Sequence, residues 1–136
     1  MEEISRIQPP FGAGQEIPEL LVSLDEIVRL PVTGNSVFTR RVAAIVDSKI
    51  IEPTSLHYQL AQVRQVFPGA THTRFEHLLG TLTTAAYFVR SLYLNDMNAF
   101  WRVSVDAVDI RAVLLAAILH DSGHLAFGHL LRRWTT

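Results

Sequence analysis

Thr73-Arg74-Phe75-Glu76 constrains the fold of this chain more than any other stretch. A Thr at an N-cap and a Glu three residues later each satisfy a free backbone N–H group, so the spacing predicts a helix that starts here. From that point Phe75, Leu78, Leu79, Leu82, Ala86, Val89 and Tyr93 recur on one face to about Asn95. A helix with one apolar stripe needs another element to cover it. The strongest candidate is a second helix over 105–119, with Ile110, Val113, Leu114, Ala117 and Ile118 pointing inward.

The remaining segments are shorter and also read as helical. From Glu19 to Leu30 the residues Leu20, Leu21, Leu24, Ile27 and Val28 have helical spacing, and Pro31 ends the run. Thr33-Gly34-Asn35 forms a turn. A helix is expected over 36–47 with Val37, Val42, Ile45 and Val46 inward, and another over 54–66, before Pro68-Gly69 breaks the chain. Residues 96–104 read as a loop. Residues 1–18, with Pro9-Pro10, Gly12, Gly14 and Pro18, read as an extended lead-in or linker. Strand alternation persists nowhere, so the expected fold class is all-α.

Composition narrows the function classes. With 49% apolar and 18% charged residues, the 136-residue chain can bury a core. Twelve basic residues oppose thirteen acidic ones, which gives no general electrostatic hold on nucleic acid. There is no cysteine, so any bound metal must be held by His and carboxylate. The acidic start Met1-Glu2-Glu3 is followed by no apolar signal segment, and the longest apolar run, 112–119, is too short to span a bilayer. A cytoplasmic protein with no membrane partner is expected.

The chemistry concentrates in the histidines. Extending the last helix by one turn puts Asp121 in line with Leu114 and Ala117, on the buried stripe, where a lone carboxylate costs several kcal/mol. A metal ion or a cationic partner removes that cost, and the adjacent His120 supplies an imidazole. Gly123 is placed to end the helix there. A single His-Asp pair is by itself more often a solvated helix end. Here the neighbourhood adds His124 and His129 amid Gly123, Ala126 and Gly128. One turn into the capped helix, His77 stands off the leucine stripe, with Arg74 on its face one turn earlier. His57 reads as a surface residue and Trp101 and Trp134 as packing groups; for His72 a structural hydrogen bond in the Pro-Gly turn and a functional role both stay open.

Two stretches carry a family resemblance. Residues 67–80, Phe-Pro-Gly-Ala-Thr-His-Thr-Arg-Phe-Glu-His-Leu-Leu-Gly, resemble the segment that opens HD domains of the deoxynucleoside triphosphate (dNTP) triphosphohydrolase branch. Residues 120–129, His-Asp-Ser-Gly-His-Leu-Ala-Phe-Gly-His, resemble that branch's HD-x-G-H-x-x-F-x-H segment. The likeness covers about 59–129 well and is weaker over 45–48. It implies an HD-domain helical bundle whose N-terminal portion spans 19–136. It also implies a phosphohydrolase that converts a dNTP to deoxynucleoside and triphosphate, with water activated at a divalent transition metal or Mg.

Residue by residue, the resemblance makes His77, His120 and Asp121 metal ligands. Arg74 and Gln59 fall at substrate-contacting positions, and Arg offers a phosphate forked, permanently charged donors. His124 and His129 fall at catalytic positions, with His129 the better donor to the leaving 5′ oxygen. Two departures stand out. The family completes its metal site with an Asp on a later helix, which this sequence, ending at Thr136, does not contain; the bundle therefore reads as truncated after the HD motif. Asp106 and Asp109 lie about 15–20 Å back along the helix and are poor substitutes. Glu52-Pro53-Thr54-Ser55 stands where some members have an Arg-rich regulatory turn, so nucleotide activation is not carried over.

Other readings stay open. The chain can act on a different phosphoester, since the HD pair does not choose the substrate. It can be an incomplete or regulatory HD module that binds metal or nucleotide without turnover. The expected partners are a nucleotide, and either a second copy of the chain or a C-terminal remainder of the domain. Taken alone, the chain is expected to bind metal weakly and hydrolyse dNTPs poorly. A zinc protease fits badly: His120 to His124 has the ligand spacing, but the motif needs a Glu where Asp121 stands and a helix that Gly123 interrupts.

Overall fold

A computed structural model describes residues 17–20, 27–31, 34–94, 97 and 99–123. The lead-in expected at 1–18 falls almost wholly outside these residues. So do His124, His129 and Trp134.

The molecule is organised around two helices, α2 (Arg74–Leu94) and α4 (Ala107–Leu119). Thr73 starts α2 as the sequence predicts: its hydroxyl accepts the Glu76 N–H at 3.2 Å, and the Glu76 carboxylate accepts the Thr73 N–H at 2.6 Å. Asp106 and Asp109 form the matching capping box of α4, with Asp106 accepting from Val108 N and Asp109 N at 2.8 and 2.9 Å. That is the work these two acids do.

The two helices run antiparallel. At one end the Tyr93 hydroxyl donates to the Val105 carbonyl at 2.8 Å, and Trp101 of the short helix α3 (Ala99–Ser104) packs edge-on against the Tyr93 ring. At the other end His77 meets His120. Sixteen residues along α2 match fifteen along the other strand of the chain, about 24 Å of helix. Between these ends Leu78, Leu79, Leu82, Ala86 and Val89 bury against Ala107, Ile110, Leu114 and Ile118. Val113, expected inward, is half exposed.

The upstream part departs from the expected helices. Ile27–Leu30 and Gly34–Val37 are strands β1 and β2 of an antiparallel hairpin, with Ile27 opposite Val37 and Leu30 opposite Gly34. The fold therefore remains mostly helical but carries a two-stranded ribbon. β-branched Ile27 and Val28, followed by Pro31 and a Gly34 at φ +74°, are a hairpin signal that apolar spacing alone obscured. The helix expected over 36–47 begins only at Arg40 (α1, Arg40–Val46), because Thr39 caps it by accepting from Val42 N.

The helix expected over 54–66 is replaced by two 3₁₀ turns, Glu52–Leu56 and Ala61–Gln65. Between them Tyr58 bridges Thr73 in antiparallel fashion. Arg74 N donates to His57 O at 2.8 Å and Gln59 N to His72 O at 3.1 Å. Long-range pairing thus overrides local propensity, and residues 57–59 are drawn extended along the start of α2. His57 is exposed, as expected, and its Nδ1 lies 2.8 Å from the Pro53 carbonyl. No helix among the described residues is long and apolar enough to cross a membrane.

Candidate metal centre

Three side chains meet where α2 begins and α4 ends. His77 is partly buried on the first turns of α2, His120 is the exposed C-cap of α4, and Asp121 is buried one residue beyond. One ligand atom from each lies within 4.8 Å of the others. The sequence expectation that these three converge therefore holds, although 43 positions separate the two histidines. Helix α4 stops at Leu119, and residues 120–123 form turns in which Ser122 N and Oγ both donate to Leu119 O. Gly123 does not end the helix through a left-handed backbone; Gly34 has the only positive glycine φ among the described residues.

The donor set fits a divalent ion. The Nε2 atoms of His77 and His120 are 3.2 Å apart. Two ligands at about 2.1 Å from one ion, at octahedral or tetrahedral angles, stand about 3.0–3.4 Å apart. His120 Nδ1 lies 2.9 Å from the Ala117 carbonyl, which can only accept, so Nδ1 carries the proton and Nε2 keeps its lone pair. Burial lowers the pKa of His77; nearby His120 lowers it further, Asp121 opposes that, and His72 adds to it. The net effect favours a neutral ring, the form that binds a metal. The carbonyl end of α4 also points its partial negative charge at this spot.

Asp121 is held from the side. Gln59 Nε2 donates to Asp121 Oδ2 at 2.9 Å, across 62 residues of chain. Gln59, read from the sequence as a substrate contact, is thus attached to the carboxylate of the cluster. Arg74 is 5% exposed and sits one turn before His77 on the first turn of α2. Alongside α2 runs an open cleft of about 550 Å³, walled by Leu30, Gly80, Ala85 and Phe88 and ending at His72, Glu76 and His77. His72, which matches the family pattern and also fits a structural role in the Pro-Gly turn, lines this cleft.

His77, His120 and Asp121 lie in a family match. Residues 74–134 match the HD domain model. This stretch of the chain is similar to HD domains. Deoxynucleoside triphosphate triphosphohydrolase SAMHD1 of Mus musculus is 30% identical over 116 residues, covering 85% of this chain and 17% of that protein. The SAMHD1 of Gallus gallus is 33% identical over 100 residues, 74% of this chain and 16% of that protein. An uncharacterised protein of Methanocaldococcus jannaschii is 29% identical over 106 residues, covering 78% and 20%. The chain thus spans no more than a fifth of the length of these curated relatives.

Proposed function

We propose that this chain carries the metal centre of a phosphohydrolase that splits a dNTP into deoxynucleoside and triphosphate. The observation that carries the reading is the meeting of His77, His120 and Asp121 within 4.8 Å at the joined ends of two antiparallel helices. Two imidazoles and a carboxylate suit a divalent transition ion better than Mg, which prefers oxygen ligands. When bound, such an ion polarises a phosphoryl oxygen and makes a nearby water more acidic.

The chain's own groups supply the rest. Arg74, one turn from His77, steadies phosphate charge with its fixed guanidinium, and it has no lone pair to give the metal. Gln59 presents an amide beside Asp121. His124 and His129, which lie outside the described residues, contact the phosphates in this reaction, and His129 gives the proton to the leaving 5′ oxygen. The similarity to SAMHD1 supports the choice of a dNTP over another phosphoester. The absence of cysteine suits a reducing, cytoplasmic setting.

The test is triphosphate release from each dNTP in the presence of Mn(II), with nucleotide binding and metal content measured in parallel. Arg74→Ala is expected to weaken nucleotide binding or turnover and leave metal content unchanged. Loss of metal in that variant, with the fold intact by circular dichroism, counts against the division of roles. A second reading, a module that holds metal or nucleotide without turnover, is favoured by a cluster with three members among the described residues. Metal uptake with no triphosphate release from any dNTP would select it.

A further inference from the structure

Gln59 is the feature of this site that the reaction scheme leaves unexplained. Its side-chain amide faces a carboxylate, which when ionised only accepts, so the atom pointing at Asp121 Oδ2 is the nitrogen. The other end, Oε1, is buried and has no hydrogen-bond partner among the described residues. A buried amide oxygen without a donor costs free energy, and such an arrangement persists where the surroundings fix it.

The surroundings do fix it. On the N-terminal side, the Tyr58–Thr73 bridge and the Gln59 N to His72 O bond tie this residue to the strand that leads into α2. On the C-terminal side, Ala61 has φ +38°, the only non-glycine residue with positive φ among those described. An alanine is rarely found there, and the chain turns at this residue into the 3₁₀ turn Ala61–Gln65. Gln59 is therefore clamped between a bridge and a strained turn, with its amide delivered to the end of α4.

We propose that Gln59 is a positioning residue for the metal centre: it orients the Asp121 carboxylate toward the point where His77 and His120 converge. Its Nε2–H engages Oδ2 and so limits rotation of the carboxylate about its Cβ–Cγ bond. The metal then meets a ligand already turned to it and loses less entropy on binding. The buried Oε1 is left as an acceptor for a donor that arrives with the bound ion or its ligand. This role rests on the metal reading given above, and it assigns to Gln59 a task distinct from substrate contact.

The experiment is Mn(II) titration by calorimetry on the chain and on Gln59→Leu and Gln59→Glu, with no nucleotide present. Gln59→Leu removes the donor and keeps the bulk; Gln59→Glu sets an acceptor against an acceptor. Each is expected to weaken Mn(II) binding about tenfold, as loss of a group that orients a ligand does. A metal-free arm guards against misfolding: a thermal double-mutant cycle of Gln59→Leu with Asp121→Ala should show coupling between the two sites. Native-strength Mn(II) binding by both variants overturns the positioning role alone. Additive thermal effects overturn the contact on which it rests. If the unmutated chain takes up no Mn(II), the metal reading fails and this inference falls with it.

Discussion

Two polar regions of this molecule are wired in opposite ways. Under the hairpin, donors meet acceptors. Ser36 and Thr83 hydroxyls touch each other and both reach the Leu79 carbonyl, while Thr83 Oγ1 accepts from Val37 N at 3.3 Å. Nearby, Glu19 accepts from Thr39 Oγ1 at 2.6 Å and is paired with Arg41. At the joined ends of α2 and α4 three side chains that could hold a metal ion bring ligand atoms within 4.8 Å of one another, and the buried Gln59 Oε1 beside them has no hydrogen-bond partner among the described residues. The first region is closed and serves the fold. In the second, ligating atoms face one another and fit the metal site proposed above. Burial of polar atoms does not separate the two cases; the sorting of donors and acceptors does.

The comparison can be broken by substitutions that should strike both regions, one region, or neither. Leu79 is wholly buried where α2 meets both the hairpin and α4. Leu79→Ala is expected to cost about 2–5 kcal/mol in urea unfolding and to weaken metal binding as well. Unchanged stability there would mean that the core drawn around α2 is wrong. Thr83→Val keeps the shape but removes the hydroxyl that Val37 N and Ser36 use. It should cost about 1–3 kcal/mol and leave Mn(II) affinity as it was. A matching loss of metal would show that the two regions are coupled.

A smaller effect is expected at the cap. Thr73→Ala should destabilise the chain by about 1 kcal/mol, since it frees the first turn of α2. His77 stands on the next turn, so metal affinity is expected to fall slightly with it. The smallest effect concerns acid. Burial raises the pKa of Glu19, but hydrogen bonds from Arg41 and Thr39 outweigh it, and the folded value lies below the usual 4.5. Glu19 therefore adds stability above pH 4.5 that is lost as the pH falls through the lower folded value. In Glu19→Gln, unfolding curves collected from pH 6 to 3 should show a flatter acid limb. An equally steep limb would place the acid sensitivity elsewhere.

What the sequence made legible follows the same divide. The capping box at Thr73 and the apolar stripe of α2 are local patterns, and the structure has them where the residues say. Asp121 was readable as buried because it continues the Leu114 face of α4. The hairpin was not, since Ile27 and Val28 fit helical and strand spacing equally well over so short a run. The extended stretch at 57–59 was hidden for another reason: its partner is Thr73, and a bridge across fifteen residues leaves no trace in local spacing. Gln59 was recognised by resemblance, yet its bond to Asp121 spans 62 residues and shows only in three dimensions. Whether 1–18 and 19–136 are separate units is a proposal that awaits limited proteolysis.

The central claim is that the ends of α2 and α4 form one metal site. Its most direct test is electron paramagnetic resonance of free Mn(II) as the chain is titrated, for the native sequence and for Asp121→Asn. The free-ion signal should fall with one Mn(II) bound per chain, and Asp121→Asn, folded by circular dichroism, should weaken that binding by about a hundredfold. A native chain that leaves the signal unchanged, or an Asp121→Asn chain that removes it as well as the native one, would contradict that claim.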